Sequence, residues 1–403
     1  MVISYFIPEI GSAAHIYFDL AKAFIKNGHE VDVITSYPRN FNLDEDDVDK
    51  EFPLDEEIDG VNVHRCKHHA KRDSIFFRGI EHFLLSRHYF KKYKKINKKF
   101  DVCLIYIPPL PLYYFSRKLK RYDGTPSVLN FQDFHPQELT DVGVMKNRLM
   151  IKIMRNLERK SYKNSDFITV LSYGGIDYIV NRGGDSKKIK HIYNGVNLDD
   201  FKKINKDFKT KEGIEDKFLI SYAGILSPFQ GIDNILDVAK KMINHKDIIF
   251  YIVGDGMVKN QLEDRIRNEG ISNVKMLPMQ PRNQYFNIIS SSDLSFVSLD
   301  NRMNAPCLPG KLINLMGVKQ PIIANVPVNS ETAYVIGKAG CGIVVEPGNI
   351  NELSKNIIKL KNNLEIRRLM GQKGWLFLEK NTVLEKNVKK YGEIFKNFTM
   401  GNG

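Results

Sequence analysis

The chain has 403 residues, 42% apolar and 27% charged, with a net charge of +13, which suits two or three soluble domains, each with its own core. A membrane span is not expected, because the longest apolar run, Val102 to Phe115, is interrupted by Pro108, Pro109 and Pro111; nor is a signal peptide, because no basic stretch precedes the first apolar run. Cys66, Cys103, Cys307 and Cys341 stand apart, without CxxC spacing, which argues against zinc and disulfide frameworks and for a reducing, cytoplasmic compartment.

Chain order gives a first round of strand and helix. Val2 to Phe6 is predicted as a strand and is followed by the loop Pro8 to Ala14. An amphipathic helix carrying Phe18, Leu20, Ala21, Phe24 and Ile25 then ends at Asn27-Gly28. Val31 to Thr35 is the next strand, Asp44 to Asp59 an acidic surface loop, and Val61 to Arg65 a further strand. Asp44-Glu45-Asp46-Asp47 has the look of a metal motif, but a surface loop is the wrong place for one. Between Arg87 and Lys99 lie seven Lys and Arg and no acid, with Ile80, Phe83, Phe90, Tyr93, Ile96 and Phe100 at roughly helical spacing. Two readings of this basic helix stay open, a solvated lysine face or a peripheral contact with the anionic inner face of the cell membrane. Nucleic acid is not expected, as there is no zinc-finger spacing or RNP-like aromatic pattern. Strands follow at Val102 to Ile107, Ser127 to Phe131 and Phe167 to Leu171.

A second round starts near Phe218. Predicted strands are Leu219 to Ala223, Ile249 to Val253, Val274 to Leu277, Leu294 to Val297, Ile322 to Ala324 and Gly342 to Val345. The polar segment Ile192 to Lys217, headed by Asn194-Gly195, reads as an interdomain linker, and the chain beyond Trp375 reads as one long helical tail. The fold expected is α/β, with two doubly wound Rossmann-like domains, 1–195 and 196–375, facing a central cleft, and a helical segment 376–403.

Ligand-bearing loops are sought at the carboxyl ends of the strands. Gly11, between the first strand and a helix N-terminus, lets backbone N–H groups approach an anion. Gly-Ser-Ala-Ala is not GxGxxG, however, and Asp32 falls mid-strand, so a nicotinamide or flavin dinucleotide is poorly supported. Leu308-Pro309-Gly310-Lys311 precedes a helix and combines exposed backbone with a cation suited to pyrophosphate. Asp133 and His135 follow a strand on the expected acceptor side, where they would orient a hydroxyl or a sugar, and His15 lies one turn into the first helix.

These residues resemble glycosyltransferase family 4 nearly end to end. The resemblance is carried by Pro8-Glu9-Ile10-Gly11 with Gly28-His29-Glu30-Val31, by Asn130 to Pro136 and the stretch from Gly143, and by Asn194-Gly195-Val196-Asn197. In the second half it is carried by Tyr222-Ala223-Gly224, Gln230-Gly231, Val253-Gly254-Asp255-Gly256 and Leu308-Pro309-Gly310-Lys311-Leu312. It implies a GT-B fold whose C-terminal helix returns to the N-terminal domain. It also implies a retaining transfer, without metal or cofactor, from an NDP-sugar, with UDP-sugar expected. The acceptor would be lipid-linked or an oligosaccharide, as in O-antigen, capsule or colanic-acid assembly. Donor-side residues would be Gly11, Gly224, Gln230, Gly231, Gly254, Met279, Gly310, Lys311, Leu312, Asn314 and Glu331. His15, Asp133 and His135 would meet the acceptor, and Asp133, His135 and Lys311 would carry catalysis. Two family glutamates eight positions apart map onto Pro306 and Asn314, so both carboxylates are absent. A nucleotide-sugar 2-epimerase on the same fold and an inactive sugar-binding homologue are the alternatives.

Overall fold

A computed structural model describes the chain except residues 10, 40–42, 44–46, 48–49, 68–74 and 400–403, and gives only the backbone of 75–80 and 399. The acidic run Asp44 to Asp46 therefore lies outside the described residues. The chain forms two compact units, one from 1–196 with 384–403 and the other from 197–383.

In the first unit the strands are β1 (Asp32–Ser36), β2 (Asp55–Ile58), β3 (Val61–Cys66), β4 (Cys103–Ile107), β5 (Ser127–Phe131), β6 (Phe167–Val170) and β7 (Ile189–His191). They are ordered β2-β3-β1 and β4-β5-β6-β7. Val2 joins the two groups through parallel bridges to Ile34 and Ile105. Its N–H donates to Leu104 O at 2.8 Å and its carbonyl accepts from Tyr106 N at 2.9 Å. The strand expected over Val2 to Phe6 is thus a single bridged residue. The chain bends at Ser4, leaving Tyr5 to Pro8 as loop.

All pairs in this unit are parallel except β2 with β3. The acidic segment expected to be loop thus supplies an edge strand. Its signal is Asp59-Gly60, both at positive φ (49° and 81°), the requirement of a two-residue hairpin turn. Charge along β2 suits an edge, where alternate residues face water.

The core of this unit joins Ile3, Phe6, Tyr17, Leu20 and Val63 to Leu384, Val388, Tyr391 and Ile394 of the final helix, Leu384–Thr399. Tyr391 OH accepts from Asn130 Nδ2 at 3.2 Å. The expected single tail helix is two helices, Leu364–Asn381 and Leu384–Thr399. Thr382 makes the break by turning its hydroxyl and its N–H back onto Leu378 O, at 2.9 and 2.8 Å. Leu384 N–H then bonds Val196 O at 3.2 Å.

The second unit is one parallel sheet of β8 (Phe218–Ala223), β9 (Ile248–Val253), β10 (Val274–Leu277), β11 (Leu294–Ser298), β12 (Ile322–Asn325) and β13 (Gly342–Val345). Its order is β10-β9-β8-β11-β12-β13, so the direction of winding reverses between β8 and β11, where a doubly wound sheet opens a crevice for ligand. The strands are nearly continuous apolar runs because helices cover both faces. Ile220, Tyr222, Phe250, Ile252 and Phe296 are buried with Leu236, Leu262 and Leu353. The expected linker is not free chain. It begins directly after β7, and beyond Val196 it docks on the second unit through buried Phe208, whose N–H donates to Asn287 Oδ1 at 3.2 Å.

Candidate active site

At the switch point of the second unit, two glycines let neighbouring loops touch. Gly254, at φ 153°, ends β9, and a Cβ there would lie 1.9 Å from Gly224 O. Gly224, at φ 150°, ends β8, and a Cβ there would lie 3.0 Å from Lys311 Nζ. Side chains at either position would push the loops apart or displace the lysine.

Lys311 opens the helix Lys311–Gly317. Its ammonium donates to Gln230 Oε1 at 3.0 Å and lies 3.8 Å from the centre of the Tyr222 ring. Among the described residues no carboxylate pairs with it, and burial pushes its pKa down to about 7. Tyr222 OH donates to the same Gln230 Oε1 at 3.3 Å and helps to hold the amide. Gly231, left-handed at φ 53°, sits against Leu299 O and the Asp300 backbone at the end of β11. Gly224, Gln230, Gly231 and Lys311 therefore converge on one point. Thr332 Oγ1 donates to Cys307 O at 3.1 Å and fastens the loop that leads into Lys311.

Other expected donor residues play different parts. Leu312 is fully buried and its N–H bonds Pro309 O at 3.0 Å, so it anchors the helix. Gly310 is right-handed at φ −57°, a conformation open to any residue. The helix behind it has 7 residues, a short dipole, so the positive charge comes mainly from the Lys311 side chain. Asn314, one turn further, points Nδ2 at Tyr285 OH, 3.5 Å away. Met279 stands exposed just beyond β10. Glu331 opens the helix Glu331–Ala339, whose N-cap Ser330 accepts from Ala333 N at 3.2 Å.

In the first unit, Asp133 and His135 follow β5. Gln132 and Asn194 exchange amide hydrogen bonds at 2.8 and 3.1 Å and hold the start of this loop. Asp133 is half-buried, and burial raises its pKa to about 6. Behind it Glu138 is buried and accepts from Phe134 N at 2.7 Å. Burial and the neighbouring Asp133 hold its carboxyl well above the ordinary range. Neither acid is paired with a cation among the described residues. Burial, together with His82, lowers His135 to about 4 and leaves a neutral imidazole at pH 7. Gly11 caps the helix Ser12–Lys26 in extended conformation, with open space where a Cβ would point. His15 is half-buried in the first turn, its N–H on Gly11 O at 3.3 Å.

Two family models match the chain. Residues 11–200 match Glycosyltransferase Family 4, and residues 204–375 match Glycosyl transferases group 1. The chain is a glycosyltransferase. An Escherichia coli (strain K12) protein named for colanic acid biosynthesis, the glycosyl transferase WcaI, is 22% identical over 366 residues, covering 87% of this chain and 88% of that one. An uncharacterized glycosyltransferase of Methanocaldococcus jannaschii is 23% identical over 255 residues, covering 62% of this chain and 63% of that protein, slightly under two thirds of its length. The structure of Anabaena HepE in complex with UDP-glucose superimposes with a TM-score of 0.71 at 15% identity, covering 98% of each chain. The glycosyltransferase thus has the fold of two Rossmann-like units known as GT-B.

Sequence reasoning missed several residues of this transferase's two loop clusters. Tyr222 and Tyr285 are strand and helix aromatics that read as core; Tyr222 is buried, yet it places its ring under Lys311. Glu138 follows a Pro and reads as a first-turn helix carboxylate, and nothing in the sequence gives its proximity to Asp133. Arg39 and Glu81 lie 42 residues apart in sequence and form a largely buried ion pair at 3.4 Å, with Arg39 also donating to Tyr5 OH at 3.2 Å. Among the described residues no three His, Cys, Asp or Glu converge as a metal-holding group, and no helix is long and apolar enough to cross a membrane.

Proposed function

We propose that this glycosyltransferase is a retaining, metal-independent enzyme that moves a sugar from a UDP-sugar to a hydroxyl of a lipid-linked or oligosaccharide acceptor in cell-surface polysaccharide assembly. The observation that carries the reading is the Lys311 ammonium, drawn into the protein at the switch point with no acid to neutralise it among the described residues. A buried cation of this kind is stabilised by an incoming anion, and a diphosphate has the charge and the oxygens to meet it. Gln230 turns its carbonyl to the lysine and so keeps its amide N–H groups for other acceptors. The UDP-glucose complex of HepE and the colanic acid name of WcaI support the donor and the pathway class.

In this reading the bond between the sugar anomeric carbon and the diphosphate oxygen breaks first. Lys311 stabilises the charge that develops on the departing oxygens. The acceptor hydroxyl attacks the same face and passes its proton to the leaving phosphate, so no protein base is required. On the first unit Asp133 accepts a hydrogen bond from an acceptor hydroxyl and His135 offers a neutral imidazole. Burial keeps Asp133 less acidic than an isolated aspartate. Metal chemistry is not needed, since Lys311 supplies the positive charge.

Isothermal titration with UDP and GDP, each with and without Mg²⁺, tests the donor assignment. UDP should bind without the metal. Binding of neither nucleotide would refute the reading, and a strict Mg²⁺ requirement would refute its metal-free form. A nucleotide-sugar panel scored for hydrolysis and transfer then identifies the sugar, and an α-linked product from an α-linked donor tests retention.

A further inference from the structure

The helices Ile75–Ile96 and Tyr113–Tyr122 carry ten Lys and Arg against one acid, Glu81. That acid turns inward to Arg39. The two helices are joined side by side by aromatic contacts, Phe83 with Tyr114 at 6.4 Å and Phe90 with Tyr122 at 5.6 Å between ring centres. Leu85, Ser86, Tyr89 and Tyr93 of the first helix and Phe115 and Leu119 of the second are buried beneath, which fixes the opposite faces outward.

The outward residues differ from those expected from the basic run Arg87 to Lys99. The helix stops at Ile96, Lys92 is engaged by Asp55 at 2.7 Å, and Lys98 is engaged by Glu30 and Asp32. Arg87, Lys91, Lys94 and Lys95 of the first helix and Arg117, Lys118 and Arg121 of the second have no acidic partner among the described residues. Lys94 and Lys118 both lie over the Phe90 ring, at 5.7 and 6.0 Å from its centre. Burial and then Arg87 lower the pKa of Lys118, and burial, Lys91 and Arg87 lower that of His88, so these cations also lie near one another. Between them stand Leu84, Tyr114 and Tyr122, which are 41%, 40% and 58% exposed.

We propose that the paired outer faces of these two helices form one docking surface for an anionic phospholipid bilayer. Unpaired cations would meet the headgroup charge, and Leu84, Tyr114 and Tyr122 would enter the interfacial layer where apolar and amphipathic side chains are favoured. The exposed apolar residues decide for lipid over nucleic acid, whose phosphates would be met by the cations alone. The surface deepens the functional reading above, because a lipid-linked acceptor lies in such a bilayer.

Flotation of the full chain with vesicles tests the proposal. Binding is expected to phosphatidylglycerol-containing vesicles, not to pure phosphatidylcholine, and is expected to weaken in raised salt. The triple variant Arg117→Gln, Lys118→Gln, Arg121→Gln leaves the first helix intact and should bind anionic vesicles roughly tenfold to a hundredfold more weakly. Tyr114→Ser with Tyr122→Ser should retain binding at low salt and lose it at lower added salt than the parent. UDP titration of each variant reports the fold and the donor site separately, and the parent affinity should persist. The proposal is overturned if the parent ignores anionic vesicles while binding UDP, if the triple variant floats like the parent, or if the same cations bind single-stranded RNA in preference to vesicles.

Discussion

The two sheets end in loop clusters of opposite electrostatic character. At the carboxyl end of β8, Lys311 is a cation drawn into the protein with an amide and an aromatic ring for company and, among the described residues, no acid. At the carboxyl end of β5, Asp133 and Glu138 are two carboxyls drawn in with, among the described residues, no cation. Each cluster is unfavourable to the unliganded fold, since burial penalises whichever form is charged. Structural ion pairs are different. Arg39 with Glu81, for example, neutralise each other within their unit. Charges left unbalanced at strand ends indicate that the balance is completed from outside. In the proposed function an anion completes it beside Lys311, and a proton-bearing hydroxyl meets Asp133.

The most direct way to break this comparison is to remove its cation. Lys311→Ala should weaken UDP binding by about tenfold to 150-fold, the range for a charge-assisted contact of roughly 1.5–3 kcal/mol, as read by titration calorimetry. Lys311→Met should lose affinity similarly and melt higher. The unfolded chain keeps the lysine proton to about pH 10.4, whereas the folded chain gives it up near 7. Stability therefore rises with pH between those values, and an apolar side chain removes the penalty at pH 7. The shift should be about 2–4 °C for each kcal/mol recovered in a unit of this size. A lower melting temperature for Lys311→Met would mean that the lysine is structural.

The carboxyl side gives the mirror test. Asp133→Asn should lower kcat/KM for the acceptor by about tenfold or more while leaving UDP affinity unchanged. It should also stabilise the first unit at pH 7. A carboxyl whose pKa is about 6 when folded and near 3.9 when unfolded adds stability below pH 3.9, and that stability is lost as pH rises through 6. An amide cannot ionise and keeps its contribution. Equal losses of donor and acceptor binding in Asp133→Asn would erase the division of labour between the clusters.

The sequence made the sheets far more legible than the clusters. Buried parallel strands such as Ile248–Val253 and Leu294–Ser298 are apolar runs set between helical periods, so the double winding follows from pattern. Boundaries failed where a local signal was weak or misread, as at the Asp59-Gly60 hairpin and the Thr382 break. Lys311 with its glycine loops stood out because Leu308-Pro309-Gly310-Lys311 sets exposed backbone and a cation directly before a helix. Tyr222 beneath it and Glu138 behind Asp133 did not, because their roles depend on contacts between loops that periodicity does not encode. The basic run showed the same limit. Sequence proximity grouped Lys92 and Lys98 with the free lysines, although acids from elsewhere in the unit engage both.

A sharper test of the cation lies in pH. A UDP-sugar carries the same charge from pH 7 to about 8, below the ionisation of its uracil N–H, so a change in its affinity over that range reports the protein. Lys311 is half-deprotonated near pH 7 when the site is empty, and a bound diphosphate raises its pKa. Binding above pH 7 then takes up a proton, and the affinity should fall by up to about tenfold per pH unit until the pKa of the bound state is reached. The slope should vanish in Lys311→Met. A flat profile in the parent would place the titrating lysine outside the donor contact.

The smallest effect is expected at Asn314, where the resemblance places a carboxylate that this chain lacks. Its amide lies 3.5 Å from Tyr285 OH, a loose contact that leaves its oxygen available to a ribose hydroxyl. A neutral hydrogen bond contributes about 0.5–1.5 kcal/mol, so Asn314→Ala should weaken UDP by roughly twofold to tenfold, less than Lys311→Ala does. Asn314→Glu restores a charged acceptor and should strengthen UDP binding more than it changes that of free pyrophosphate, because only UDP offers a ribose. It also brings a negative charge one turn from Lys311, which would raise the lysine pKa and shift the pH dependence of donor binding upward. A double variant of Asn314→Glu with Lys311→Met separates the two contributions: a ribose contact survives the loss of the lysine, and a purely electrostatic gain does not.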